Sequence, residues 1–158
     1  MKKIAYLSLG TNKGEREVYL AKAIKLLEKF GYVNKVSSYY ETEPYGVKDQ
    51  ADFINLVLEY EHEHSPEKLL KIAKKIEQKL KRKTFFRWGP REIDIDIIWM
   101  EDVQIETKEL TIPHKEFFKR NFVLQPLSEI APNLYIYNVS IQTYITLCTD
   151  TSSVKKRV

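Results

Sequence analysis

Apolar positions along the chain follow two periods, and the order of those periods predicts the fold. Residues 4–9 form a short, mostly apolar run closed by Gly10-Thr11-Asn12, the pattern of a strand ending in a turn and helix-cap cluster. From 15 to 30, Val18, Leu20, Ala21, Ile24, Leu27 and Phe30 recur at spacings of three and four, predicting an amphipathic helix that stops at Gly31. Residues 33–42 read as strand, and Glu43-Pro44-Tyr45-Gly46 opens a polar loop lasting to about residue 52. A further strand is predicted over 53–60, from the partial alternation of Phe53, Ile54, Leu56 and Leu58. Ser65-Pro66 is a capping serine followed by proline at the first helical position, and Leu69, Leu70, Ile72, Ala73, Ile76 and Leu80 continue as a helix. Residues 93–99 make a fourth strand.

The order strand, helix, strand, strand, helix, strand predicts an α+β fold of the ferredoxin-like βαββαβ kind, with helices packed on one face of an antiparallel sheet. Extra C-terminal elements are expected to be more irregular: 110–114, a short helical stretch near 115–120, and 122–130, ending in a loose polar tail over 149–158. No repeat, linker or low-complexity stretch interrupts the pattern, so residues 1–158 read as a single domain.

Composition narrows the function classes. The 158 residues are 43% hydrophobic and 30% charged, an ordinary soluble balance. Apolar runs fall far short of the ~20 residues that span a bilayer. Met1-Lys2-Lys3-Ile4-Ala5-Tyr6 enters a strand pattern without the apolar core of a signal peptide, and the one cysteine, Cys148, allows no internal disulfide. The expectation is a cytoplasmic protein. Net charge is +4 and the pI ≈ 9.0, pointing to an anionic partner. Six cations, Lys79, Lys81, Arg82, Lys83, Arg87 and Arg91, fall within thirteen residues, and Asp94 and Asp96 follow directly. Cations running into two carboxylates suit a magnesium–polyphosphate ligand.

The sharpest local feature is Arg87-Trp88-Gly89-Pro90-Arg91-Glu92-Ile93-Asp94-Ile95-Asp96-Ile97. Side chains alternate along a strand, so Ile93, Ile95 and Ile97 face one way and the aspartates the other. Same-face neighbours lie ~7 Å apart, close enough for two carboxylates to share one or two hard cations. A bare Asp-x-Asp is more often simply an acidic strand face. Aspartate is a poor strand former, however, and the cationic Trp-Gly-Pro-Arg loop upstream has no use in a plain strand. Arginine forks in that loop match phosphate oxygens, although a charged helix end is also common as mere solvated surface.

Other candidates carry less. His62 and His64 at a strand end read as structural, as does Cys148, and His114 after Pro113 stands alone. No Cys/His cluster has zinc spacing, and 10–14 lacks the arrangement of a Walker loop. Phe53, Trp88 and Phe122 offer flat platforms, a role that competes with core packing. Asn55, on the same strand face as Phe53, offers paired donor and acceptor contacts to a heterocycle.

Taken together, several separated segments resemble the 6-hydroxymethyl-7,8-dihydropterin pyrophosphokinases of folate biosynthesis. They are Ala5-Tyr6-Leu7-Ser8-Leu9-Gly10-Thr11-Asn12, Ser37-Ser38-Tyr39-Tyr40-Glu41-Thr42-Glu43-Pro44, Asp49-Gln50-Ala51-Asp52-Phe53-Ile54-Asn55, Ile76-Glu77, the 87–97 stretch, Leu110-Thr111-Ile112-Pro113-His114 and 122–132. The resemblance implies transfer of pyrophosphate from ATP to the pterin hydroxymethyl group, with release of AMP. It makes Asp94 and Asp96 ligands of two magnesium ions and, with Arg82 and Arg91, the catalytic set. Thr42, Pro44, Tyr45, Phe53, Asn55, Trp88 and Phe122 would meet the pterin. Glu77, Arg82, Lys83, Arg87, Arg91, Ile97, Thr111, His114 and Arg120 would meet ATP, the two loops 45–50 and 81–91 closing as lids. The partners are then ATP and the pterin, with no nucleic acid or membrane, and the chain acts as a monomer.

Three positions depart from the family's pattern. Lys81-Arg82-Lys83-Thr84 stands where Gly-Arg-x-Arg is usual, so the second arginine is missing and Lys83 beside it offers a point charge without the fork, and Lys74 stands where glutamine is common. Two readings from other classes share the same element order: an RNA-binding module, which the basic charge favours but the missing aromatic RNA-binding motif does not, and a non-catalytic ligand-binding domain.

Overall fold

The strand β1 (Lys3–Thr11) is apolar over much of its length and is an interior strand of the main sheet. The computed structural model describes residues 2–12, 15–43, 52–81 and 93–157. After β1 come α1 (Arg16–Leu27), β2 (Tyr32–Val36), β3 (Tyr40–Thr42), β4 (Phe53–His62), α2 (Pro66–Lys81) and β5 (Asp94–Met100). They are followed by β6 (Ile105–Glu106), β7 (Thr111–Ile112), a 3-10 turn (Phe117–Lys119), α3 (Asn121–Ile130), β8 (Tyr135–Ile136), β9 (Val139–Ser140), α4 (Ile141–Leu147) and β10 (Val154–Lys156). The main sheet runs β10-β3-β4-β1-β5, with β2 also on β4, and every pairing is antiparallel. The predicted βαββαβ core is thus present.

The register of β1 sets the two faces. Ala5, Leu7 and Leu9 point to one side, where Leu20, Ala23 and Leu27 of α1 and Leu69, Ile72, Ala73, Ile76 and Leu80 of α2 cover them. Tyr6 points to the other side, where it joins Val57, Ile98 and the apolar stripe Val123, Leu124, Leu127 and Ile130 of α3, with Ile141 of α4. Burial of each leucine, isoleucine or valine among them contributes about 1.5–3 kcal/mol. Helices therefore cover both faces of the sheet, not one. The central strands are apolar on both sides, and a sheet with two apolar faces needs two covering layers. Residues 122–130, expected to be irregular, supply that second layer as a regular helix that accommodates Pro126 in its interior.

Local chemistry explains the other departures. The strand expected over 33–42 breaks into β2 and β3 because Ser37 Oγ takes the Val57 amide at 3.0 Å in place of a ladder carbonyl. Glu129 of α3 then accepts from the Ser38 amide and hydroxyl, both at 2.9 Å, and from the Tyr40 hydroxyl at 2.7 Å. The first helix ends at Leu27 rather than Phe30. Gly31 is required for packing, since a Cβ there would sit 2.7 Å from the Glu61 carbonyl oxygen and from the Tyr60 ring. Ser65 caps α2 as predicted, accepting from the Lys68 amide at 3.1 Å. The tail expected to be loose carries β10, which pairs with β3. Among the described residues no helix is long and apolar enough to cross a membrane.

Tyr60, His62 and His64 stack in a row where β4 runs out beneath the end of α1. Tyr60 donates to the Leu27 carbonyl at 2.6 Å, and burial pushes its phenol up to about 12. His62 is 2% exposed and its Nδ1 accepts the His64 amide at 3.0 Å, so the neutral ring carries its proton on Nε2. Burial, reinforced by repulsion from His64, lowers its pKa to about 4. A base whose folded pKa lies below its unfolded value holds stability above pH 6.5 and loses it as pH falls towards 4. The full shift corresponds to about 3 kcal/mol at the acid limit. Urea titrations at pH 7 and pH 4.5 are expected to show wild type losing more stability than His62→Gln, which cannot titrate.

Candidate active site

Antiparallel pairing brings residues from four strands to one point on the α3 side of the sheet. Gly10 lies opposite Asp94 and Ser8 opposite Asp96 on β5. Gly10 also lies opposite Asn55 on β4, and Phe53 opposite Thr42 on β3. The cleft above them, about 210 Å³, is lined by Ser8, Gly10, Thr42, Glu43, Phe53, Asn55, Asp94, Asp96, Arg120 and Phe122. The last two belong to the entry into α3. Arg16, the first residue of α1, steadies the start of β4 by donating to the Asp52 carbonyl at 2.6 Å, beside an ion pair with Glu41 at 3.6 Å.

The cleft floor depends on a glycine. Asn55 folds its amide across Gly10, where a Cβ would lie 2.3 Å from Asn55 Oδ1. Its Nδ2 donates to Thr42 Oγ1 at 2.8 Å, and both side chains belong to buried residues. The bond orients the amide and leaves one N–H and the carbonyl oxygen for a heterocycle edge. The sequence pattern puts Gly10 in a turn at the end of the strand; in the fold it lies inside β1, and its missing side chain makes room for Asn55.

Alternation on β5 follows the expectation. Ile93, Ile95 and Ile97 enter the core under α1 and α2, while Asp94 and Asp96 are half-buried in the cleft. Ile98 follows Asp96 onto the α3 face by ordinary alternation, and a bulge opposite Tyr6 and Leu7 keeps Trp99 on that face as well, its ring tilted against Tyr6 with centroids 5.5 Å apart. Arg120 Nη1 lies 4.0 Å from Asp96 Oδ2, and its guanidinium sits 5.8 Å from the Phe122 ring centroid. An exposed pair of this kind adds little stability; its consequence is a cation placed between the carboxylates and an aromatic wall.

A second cavity, about 280 Å³, opens on the outer side of β5 and shares Asp96 with the first. Its lining includes Lys74, Ile97, Leu110, Thr111, His114 and Lys115. His114 is anchored through its amide to the Ile98 carbonyl at 2.8 Å, and its Nδ1 accepts the Glu116 amide at 3.1 Å. The imidazole proton therefore sits on Nε2. Burial lowers the His114 pKa, against the opposing pull of Asp96 and with added repulsion from Arg120, so the ring stays a neutral donor.

Of the residues singled out in the sequence, Thr42, Phe53, Asn55, Asp94, Asp96, Arg120 and Phe122 meet in the first cleft, and Ile97, Thr111 and His114 in the second. Glu77 lies behind both: its buried carboxylate accepts the Ile95 amide at 2.7 Å and pairs with Lys74 at 3.5 Å. It thus braces β5 between the two aspartates. Pro44, Tyr45, Arg82, Lys83, Arg87, Trp88 and Arg91 lie outside the described residues. Ser8, Glu43, Lys74 and Lys115 line the cavities without having been named as ligands. Ser8 was within reach, since it follows Tyr6 and precedes Gly10 on one face of β1; the others needed the tertiary fold.

The fold and site together define an α+β domain with an acidic, arginine-flanked cleft joined to a second cavity. More particularly, the chain belongs to the 7,8-dihydro-6-hydroxymethylpterin-pyrophosphokinase family, whose model matches residues 6–132. It is 43% identical over 145 residues to the 2-amino-4-hydroxy-6-hydroxymethyldihydropteridine pyrophosphokinase of Bacillus subtilis, covering 90% of this chain and 87% of the relative. The Aquifex aeolicus protein of the same name is 46% identical over 129 residues, covering 82% and 81%. The backbone also superposes on a Plasmodium falciparum HPPK-DHPS bound to pteroate, with TM-score 0.74 and 17% identity over 92% of this chain. The chain spans 42% of that solved protein, and at such identity the likeness speaks for the fold alone.

Proposed function

We propose that this chain transfers the pyrophosphoryl group of ATP to the hydroxymethyl oxygen of 6-hydroxymethyl-7,8-dihydropterin, releasing AMP, and does so as a cytoplasmic monomer without nucleic-acid or membrane partners. The observation that carries the reading is the junction of two unlike cavities at Asp96. One has aromatic residues and an oriented amide, suited to a flat heterocycle. The other is apolar in part and fringed by Lys74, Lys115 and His114, suited to a nucleotide.

Each group has a role that follows from its position. Phe53 and Phe122 flank the pterin ring, and Asn55, held by Thr42, reads its polar edge. Main-chain groups at Ile97 and Thr111 meet the adenine, and the Nε2–H of His114 donates to a phosphate oxygen. Arg120 offsets charge that builds on the transferring group. Asp94 and Asp96 fit a hard cation: two half-buried carboxylates on one strand face, forming a half-site that phosphate oxygens and water complete. Among the described residues no group of three acidic, His or Cys side chains competes as a metal cluster. When bound there, two Mg2+ ions would neutralise and align the polyphosphate.

The reaction is an in-line displacement. The hydroxymethyl oxygen forms a bond to the β-phosphorus as the bridging oxygen leaves with AMP, and Asp96 accepts the hydroxyl proton before passing it to solvent. Little covalent work falls to the protein; holding both substrates against Asp96 is most of the task. Anion-exchange separation after incubation with Mg2+, ATP and the pterin tests this. AMP and pterin diphosphate in equal amounts, with no AMP when the pterin is omitted, is the expected result; ADP as the nucleotide product would overturn it.

A further inference from the structure

We infer that the C-terminal segment 149–157 positions the walls of the first cleft, with Asp150 as the positioning residue, an inference that rests on the reading of that cleft as the pterin site. The segment lies beyond the 6–132 stretch matched by the family model. Helix α3 has no side-chain cap of its own, since Arg120 at its N-cap position makes none. The carboxylate of Asp150 does this from a distance: Oδ2 accepts the Asn121 amide at 3.0 Å, while Oδ1 accepts the Ser152 amide at 2.9 Å. An anion at a helix N-terminus satisfies an orphan N–H and complements the helix dipole. Asn121 sits between Arg120 and Phe122, both of which line the cleft, so Asp150 holds one wall.

The same segment then crosses to the opposite wall. The Ser153 amide donates to Glu43 Oε1 at 2.8 Å. Beyond it, β10 pairs Val154 with Thr42, Lys155 with Glu41 and Lys156 with Tyr40. The Arg157 amide donates to the Tyr39 carbonyl at 2.8 Å, and its guanidinium pairs with Glu17 of α1. Strand β3 is three residues long, and without β10 it would be a short sheet edge. Thr42 is the residue that orients Asn55. One short segment therefore ties the wall bearing Phe122 to the wall bearing Thr42 and Glu43. Among the described residues, none from 149–157 lines the second cavity, which is built from α2, β5 and 107–115.

Steady-state kinetics of the full chain with each substrate varied in turn separates positioning from stability. Asp150→Ala is expected to raise the pterin KM about three- to tenfold and leave the ATP KM within about twofold. Asp150→Asn keeps one acceptor oxygen and is expected to bring the pterin KM back to within about twofold of wild type. A role in stability alone lowers the active fraction and kcat, with both KM values unchanged. An unchanged pterin KM in Asp150→Ala, or both KM values rising together, overturns the inference. Should that variant fail to fold, Ser153→Pro, which deletes the donor to Glu43, is judged by the same KM ratio. Wild type lacking pterin-dependent AMP release would remove the cleft reading itself, whereas active wild type with an unshifted ratio removes only the role of the segment.

Discussion

Asp94→Ala and Asp96→Ala each lower kcat/KM by about a thousandfold or more, while the melting temperature stays close to that of wild type. The first half of this expectation comes from charge. ATP brings a polyphosphate to a site flanked by Arg120, Lys74 and Lys115, and the two aspartates are the acidic side chains lining the first cleft on β5. Removing one electrostatic element preorganised for the transition state costs about 10²–10³ in rate, and loss of a metal ligand also releases the cation that neutralises the phosphates. The second half comes from the strand. Both side chains are half-buried on the cleft face, while Ile93, Ile95 and Ile97 do the packing. Alanine is no worse in a strand than aspartate, and the exposed Asp96–Arg120 pair contributes little. Activity and stability should therefore part company, which thermal denaturation beside the kinetics will check. Asp96→Asn keeps shape but cannot accept a proton, and it should be nearly as impaired.

Gly10→Ala is the second large effect, and here binding and stability fall together. A methyl group at position 10 would lie 2.3 Å from Asn55 Oδ1 and 3.4 Å from its Cγ, well inside contact distance. Asn55 is 4% exposed and bonded to Thr42, so it yields only by breaking that bond or by bending β1. Overpacking of this kind costs about 1–3 kcal/mol, a fall in melting temperature of roughly 3–8 °C for a chain of this size. The displaced amide no longer reads the heterocycle, and the pterin KM is expected to rise at least about tenfold, as for a site left with an unmatched polar group. An Asn55→Ala change in the same background removes the clash; recovery of the melting temperature without recovery of the pterin KM would identify the amide as the recognition element.

Much of the site was legible along the chain because strand periodicity is local. The alternation Ile93-Asp94-Ile95-Asp96-Ile97 puts two carboxylates on one face whatever the sheet around them, and Ser65-Pro66 starts a helix by local bonding alone. What depended on register was not legible. Gly10 looked like a turn residue because its use, making room for Asn55, exists only once β1 and β4 pair. The bulge that puts Trp99 on the same face as Ile98 depends on the pairing with β1. Helix α3 was masked by Pro126 and by an expected one-sided sheet, although Tyr6, Val57 and Ile98 already implied a second apolar face. The polar tail gave no sign of β10, since a short strand at a sheet edge is held by backbone bonds and by partners as remote as Tyr39 and Glu17. Family resemblance named ligands for both substrates; the fold adds that Glu77, named with the nucleotide set, accepts the Ile95 amide through Oε2.

The proposed reaction needs pterin and nucleotide to occupy two different cavities that meet at Asp96. A crystal structure of the chain with Mg2+, the pterin and α,β-methylene ATP, which cannot transfer its terminal pair of phosphates, tests this most directly. The pterin ring is expected between Phe53 and Phe122 with its edge on Asn55, adenine beside Ile97 and Thr111, and the polyphosphate crossing between them at Asp94 and Asp96. Pterin outside the cleft above Gly10, or both ligands competing for one cavity, would contradict it.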